Sequence, residues 1–164
     1  MENPIEEIQT PIRLDYQYTA GEATARFLRG LKQGRILGQR CPSCRNVIVP
    51  ARGACARCGV ATKEEIELPD VGTVTTFCVV HIPVPGSTVK PPFICATIQL
   101  DGADIGLFHL LGEISPDQAR PGMRVKAQWK PREEWDYTLE NIRYFTPTDE
   151  PDVELDDPGS SAHA

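Results

Sequence analysis

A mainly β chain with one N-terminal helix is predicted by three features of the 164-residue sequence. Two Cys-x-x-Cys pairs, Cys41/Cys44 and Cys55/Cys58, stand ten residues apart. From Val71 onward, five runs of strand-forming residues follow one another within roughly 80 residues. The chain also carries 15 prolines and 13 glycines, which favour turns over long helices. In order, these features divide the chain into an arm and helix over residues 1–34, a cysteine ribbon over 35–66, a small barrel over 67–146 and an acidic tail over 147–164.

Residues 1–18 read as an extended arm, because Pro4 and Pro11 oppose helix. A helix follows at "TAGE", where Thr19 and Glu22 have capping-box spacing. Ala20, Ala23, Phe27, Leu28 and Leu31 share one helical face, and Gly34 is placed to end it. Arg26, Arg29 and Lys32 project elsewhere. "RILGQR" and "NVIVP" read as short strands, each leading into a cysteine pair. The later strands are "GTVTTFCVVHI", "FICATIQL", "DIGLFHLL", "MRVKAQWK" and "ENIRYF". "DGAD" is a hairpin link and "GEISPDQARPG" a compact connector. "PVPGSTVKPP" is too long and too rich in proline for a tight turn, and is expected to project. Five strands in this space fit a barrel of the OB type. The tail holds six acids and few apolar residues, so disorder is expected there. No repeat of solenoid period is present.

The four thiols have three possible uses. Short x-x loops turn back on themselves, so two such knuckles complete the tetrahedron that zinc prefers in closed structural sites. The ten-residue gap suits a rubredoxin-like zinc ribbon, a module too small to fold on apolar burial alone. Iron would use the same four thiolates and stays open as an alternative. A thioredoxin-like redox pair does not fit, because neither Cys-x-x-Cys opens a helix after a strand. Cys41, Cys44, Cys55 and Cys58 are therefore the expected ligands of a structural Zn2+ with no open coordination position. Cys78 and Cys95 lie within apolar strand runs and are expected to be buried small apolar residues. His81 and His109 each stand alone on predicted strands. No Gly-x-Ser-x-Gly, phosphate loop or dinucleotide fingerprint occurs, and no coherent catalytic centre is legible.

Charge is distributed unevenly. The formal net charge is -6, but the tail accounts for it, since the remaining chain has 17 acids against 17 bases. From Ala23 to Lys63 there is no acid and there are nine bases. Four thiolates on a divalent ion carry -2, leaving this stretch at about +7 by formal count. No apolar run approaches the roughly 18 residues that span a bilayer, and the first residues lack the pattern of a secretory signal. The expected setting is cytoplasmic, without membrane contact.

The order of parts, together with "LGQRCPSCRNVIVPARGACARCG" and "VGTVTTFCVV", resembles the domain-of-unknown-function-thirty-five family of zinc-ribbon/OB-fold proteins. The likeness covers roughly residues 19–146 and rests on the helix, ribbon and glycine-proline-arginine punctuation together. The resemblance implies a non-catalytic partner of a thiolase-fold enzyme, which holds a complex together and helps to accommodate a CoA thioester. It further implies membership of a group whose partner is a thiolase-like aldolase that shortens steroid side chains by retro-aldol cleavage. On this reading the chain is not catalytic alone, but is a required subunit of an acyl-CoA-dependent lyase or acyltransferase.

The residues supply a physical counterpart to that reading. CoA carries a 3'-phosphate and a pyrophosphate, which call for Arg or Lys. Arg45, Arg52 and Arg57 in the acid-free stretch are the candidate contacts, with Lys90 on the long loop reaching towards a partner's active site. The alternative is a single-stranded nucleic-acid module, because ribbons and OB barrels both bind strands through basic grooves with aromatic platforms. Trp129, Trp135, Tyr137, Tyr144 and Phe145 are available, but they cluster late and apart from the basic stretch. The acyl-CoA reading is preferred.

Overall fold

The computed structural model describes residues 14–83 and 86–155. Helix α1 spans Gly21–Lys32 and buries Phe27, Gly30 and Leu31. The expected Thr19 cap is not formed. Ala20 occupies the N-cap without a side-chain hydrogen bond, and Glu22 pairs one turn onward with Arg26 instead. The C-terminal expectation holds: Gly34 has φ +74° and donates its N–H to the Leu31 carbonyl at 3.0 Å. A side chain at Gly34 would also collide with Trp135, whose ring lies 2.6 Å from an ideal Cβ position. Glycine is thus required there both by conformation and by space.

Three strands form the ribbon sheet: β1 (Ile36–Arg40), β2 (Val47–Ile48) and β3 (Glu64–Leu68), in the order β2-β1-β3. The sequence reading missed β3, whose "EEIEL" carries three acids. Its pairing with β1 sets Glu64 opposite Arg40, and Ile36 opposite Leu68. Glu67 pairs with Arg35 at 2.8 Å and Glu65 meets Arg26 at 3.5 Å. Each such exposed pair contributes only about 0–1 kcal/mol. An edge strand armed with carboxylates also resists pairing with another chain. Because β3 runs to Leu68, the ribbon sheet crosses the expected boundary at 66/67.

The barrel comprises β4 (Val71–Val80), β5 (Phe93–Leu100), β6 (Leu107–Leu111), β7 (Arg124–Trp129) and β8 (Ile142–Pro147). Its closed order, β4-β5-β6-β8-β7, is that of an OB fold. Strand β4 closes it, pairing with β5 along its length and with β7 through Val71–Thr73. At Gly72 the strands crowd so closely that a Cβ would sit 2.4 Å from the Gln99 carbonyl oxygen. Alternation along β5 turns Ile94, Ala96, Ile98 and Leu100 inward, where they join Val74, Leu107, Val125, Ile142 and Phe145. This core is continuous with Phe27, Leu31, Ile36, Val47 and Leu68, so helix, ribbon and barrel share one apolar interior.

Two polar ties fix the parts together. Asp104 accepts the Val47 N–H at 2.7 Å and returns its own N–H to the Val47 carbonyl at 2.9 Å. Asn141, fully buried, donates Nδ2 to the carbonyls of Leu31 and Asp136 and accepts the Asp136 N–H.

The acidic tail departs from expectation. Residues 148–155 lie against the barrel, with the Val153 N–H bonded to the Gly122 carbonyl at 2.8 Å. Arg120 pairs with Asp152, and the mostly buried Arg124 bridges Glu150 and Asp101. The cause is non-local: two arginines of the barrel give the tail carboxylates partners that composition does not reveal. The remainder of the expected disorder, residues 156–164, lies outside the described residues, as does the arm over 1–13. No helix among the described residues is long and apolar enough to cross a membrane.

Candidate metal centre and cation-bearing face

Two matched knuckles bring the four expected ligands together. In the first, the Cys41 N–H binds the Asn46 carbonyl and the Arg45 N–H binds the Cys41 carbonyl. In the second, the Cys55 N–H binds the Val60 carbonyl and the Gly59 N–H binds the Cys55 carbonyl. Arg45 (φ 67°) and Gly59 (φ 68°) occupy the same left-handed position after the second cysteine. For arginine that position costs on the order of 1 kcal/mol, whereas glycine adopts it freely. Gln39, buried in β1, accepts from the Gly53 N–H and the Thr62 hydroxyl and so pins the second knuckle to the sheet.

The sulfurs of Cys41, Cys44, Cys55 and Cys58 all lie within 4.8 Å of one another. A tetrahedral zinc with bonds of about 2.3 Å has sulfur–sulfur edges of about 3.8 Å. Cys44 and Cys55 stand 3.8 Å apart. Burial works against ionising Cys41, but the amides of Cys44 and Ser43 point at its sulfur and, with neighbouring thiols, hold its pKa down to about 7. The Asn46 amide favours the Cys44 thiolate, yet burial and three adjacent sulfurs push that thiol up to about 11. Four thiolates at this spacing need a cation among them, and the donor set fits Zn2+. All four positions of the tetrahedron would be filled by protein.

The cations expected to meet CoA are exposed. Arg45 and Arg57 sit on the two knuckles and Arg52 on the segment between them, none of them in an ion pair among the described residues. Other bases of the acid-free stretch are matched by acids from outside it: Arg26, Lys32, Arg35 and Arg40 pair with Glu22 and Glu65, Asp136, Glu67 and Glu64 respectively. The segment is therefore less cationic in space than in sequence: among the described residues, Arg29, Arg45, Arg52, Arg57 and Lys63 are its bases left without an ion pair. Lys90 is exposed on the loop before β5, an element of the barrel distinct from the knuckles. Val84 and Pro85 of that loop lie outside the described residues.

The aromatic candidates do not form one platform. Trp129 and Trp135 pack together at 5.4 Å, and Trp135 donates to the Lys130 carbonyl beside α1. Lys32 covers Tyr137, and Phe145 is wholly buried. His81 is exposed, and half-buried His109 meets Phe145 edge-on while burial lowers its pKa. Cys95 is buried as expected, but Cys78 is exposed and lies directly opposite it on β4. The outer turn of alternation at Cys78 faces solvent, which an unbroken apolar run does not disclose. The sequence reading also missed a groove of about 780 Å³ on β5, β6 and β8, lined by Phe108, Leu110, Tyr144, Lys130 and Arg143. This is the face, between the first and last barrel loops, that OB folds use for ligands. The exposure of Phe108, 61%, was its one legible sign, and only after folding.

Comparison with known proteins agrees with this architecture. The family model "ChsH2, rubredoxin-like zinc ribbon domain" matches residues 29–64, and "ChsH2, C-terminal OB-fold domain" matches residues 65–130. A "DUF35 domain-containing scaffold protein" of Methanocaldococcus jannaschii is 34% identical over 100 residues, covering 58% of this chain and 67% of that protein. The "Probable enoyl-CoA hydratase alpha subunit" of Thermomonospora curvata is 28% identical over 121 residues, or 74% of this chain. The chain spans only 37% of that relative's length. Among solved structures, a chain of the "Ltp2-ChsH2(DUF35) aldolase" matches with a TM-score of 0.60 at 26% identity, over 80% of this chain and 98% of that one. A DUF35 protein of unknown function from Sulfolobus solfataricus matches with a TM-score of 0.58 at 22% identity, over 78% of this chain and 87% of that one. The latter likeness bears on the fold alone.

Proposed function

The chain belongs to the DUF35 family, and on that premise we propose that it is a non-catalytic subunit of a thiolase-fold enzyme and shares the binding of that enzyme's acyl-CoA substrate. The observation that carries this reading is the likeness to a chain of a solved aldolase complex over 98% of that chain's length. The relative named a scaffold protein supports the accessory role, and the relative named for an enoyl-CoA hydratase supports the CoA thioester. In its most specific form, the partner is a retro-aldol lyase acting on a steroid side-chain CoA thioester, a step taken from the family resemblance.

The chemistry of the chain agrees with a supporting part. A closed four-thiolate centre holds the ribbon rigid but offers a substrate no coordination position. Arg45 and Arg57 on the knuckles, with Arg52 between them, present cations that no carboxylate among the described residues neutralises, suited to the CoA phosphates at an interface. Lys90 extends the same charge from the barrel loop. Phe145 is buried and the tryptophans are occupied in packing, so these members of the aromatic set offer single-stranded nucleic acid no stacking platform.

Two experiments test the proposal. A thiolase-fold protein from the native host should co-purify with this chain and be retained on CoA-agarose through the pair. Binding to labelled single-stranded DNA that persists over a salt series, with no retention on CoA-agarose, would favour the nucleic-acid reading. Arg45→Gly is the sharpest variant, because Gly59 shows that the knuckle accepts glycine at this position. It should raise the complex's KM for acyl-CoA more than it lowers kcat.

A further inference from the structure

Cys78 and Cys95 face each other across two antiparallel strands. Their register places them as direct Cα partners, between the Phe77/Ala96 and Val79/Ile94 pairs. Directly opposed residues in an antiparallel pair have Cα atoms about 4.5 or 5.5 Å apart, depending on hydrogen bonding. Both values fall in the range of about 4.4–6.8 Å that a disulfide spans. The inward residues of β5 are Ile94 and Ala96, so both thiols point to the outer face of the barrel. Cys78 is exposed there, whereas Cys95 is nearly covered and lines the groove with Thr88 and Val89 of the adjoining loop. The two sulfurs sense each other: burial raises the Cys95 pKa, and Cys78 raises it further through charge and hydrogen bonding.

We infer that Cys78 and Cys95 form a modification site, a surface dithiol that a hydroperoxide oxidises to a cross-strand disulfide. The Cys78 thiolate attacks the terminal peroxide oxygen, breaks the O–O bond and releases an alcohol, or water when the oxidant is hydrogen peroxide. Cys78 becomes a sulfenic acid. The Cys95 thiolate then attacks the Cys78 sulfur, forming the S–S bond and expelling hydroxide, which leaves as water. Two thiols lose two electrons and two protons, and the hydroperoxide accepts them. The exposed residue meets the oxidant and the covered one resolves it, which limits further oxidation of Cys78. The product ties β4 to β5 at the base of the loop over residues 81–92 and stiffens one wall of the groove.

The chain is well suited to a direct test. Proline follows both Lys90 and Arg120, so trypsin leaves residues 64–124 as one peptide whose only cysteines are Cys78 and Cys95. The zinc-loaded full chain is treated with a small excess of hydrogen peroxide, denatured, alkylated and digested. The peptide should lose about two mass units and both alkylation sites, recover them after dithiothreitol, and do so with zinc retained. In Cys78→Ser, an exposed substitution, Cys95 should remain alkylatable after the same treatment. A peptide that still takes two alkyl groups, or that gains oxygen in place of losing hydrogen, overturns the inference. So would Cys95 becoming unavailable in Cys78→Ser.

Discussion

Asn141 holds helix α1 to the barrel, and its replacement has a calculable cost. Its side chain is fully buried and makes three hydrogen bonds: two from Nδ2, to Leu31 and Asp136, and one to Oδ1 from the Asp136 N–H. The two carbonyls keep other donors, because Gly34 N–H also binds Leu31 and Thr138 N–H also binds Asp136. In Asn141→Ala the one orphaned group is therefore the Asp136 N–H. That donor is only part-buried, so its penalty lies towards the low end of the range of about 1–3 kcal/mol, and a loss of about 1–3 kcal/mol is expected once the small cavity is included. Asn141→Asp keeps the acceptor for Asp136 but turns a carboxylate oxygen towards two carbonyls. An uncompensated buried charge raises the expected loss to about 3–5 kcal/mol near neutral pH. Burial raises the new aspartate's folded-state pKa above its unfolded value of about 3.9. Its deficit should therefore be largest above the folded pKa and shrink as pH falls towards the unfolded one. Thermal unfolding monitored by circular dichroism is the assay, with about 2–4 °C expected per kcal/mol in a chain of this size. An Asn141→Asp protein as stable as wild type at pH 7 would refute the role given to this side chain.

Three further outcomes follow from the same structure. Cys58→Ser removes one ligand from a centre whose apparent binding energy is about 10–16 kcal/mol; elemental analysis should show under about half an equivalent of zinc, and full retention would contradict the four-thiolate centre. Truncation after Pro147 removes the Arg120–Asp152 and Arg124–Glu150 pairs and the Val153–Gly122 hydrogen bond; about 2 kcal/mol should be lost, with the exposed ion pairs discounted, and an unchanged melting temperature would mean that the tail segment does not dock. Hydrogen bonding from Arg124 holds Asp101 below the usual carboxylate range despite burial, so its contribution is present above the unfolded pKa of about 3.9 and lost as pH falls through the folded one. Arg124→Met should abolish that component of acid sensitivity in urea unfolding at pH 6 against pH 3, and an unaltered pH difference would assign it elsewhere.

What was legible in the sequence was what local chemistry decides. The bounds of β5, Phe93–Leu100, match the run read from alternation, and the knuckles follow from cysteine spacing. Gly34 ends its helix because left-handed backbone is a property of the residue itself. Features set by distant partners were not legible. Strand β3 looks too acidic for a strand until Arg35 and Arg40 stand beside it. The tail looks unstructured until Arg120 and Arg124 receive it. The basic stretch looks uniformly cationic until Arg26, Lys32, Arg35 and Arg40 find acids, which leaves Arg45, Arg52 and Arg57 with Arg29 and Lys63 as its unmatched bases among the described residues. Thr19 failed as a cap because Ala20 takes that position, an offset of one residue that spacing alone does not resolve. The groove and the Cys78/Cys95 pair depend on strand register, and a single strand's sequence does not carry it.

The most direct test of the accessory role is an acyl-CoA cleavage assay run with the thiolase-fold partner alone, this chain alone, and the two together. Turnover is expected from the pair, little from the partner alone and none from this chain alone. Full activity from the partner alone, or any turnover from this chain alone, would contradict that role.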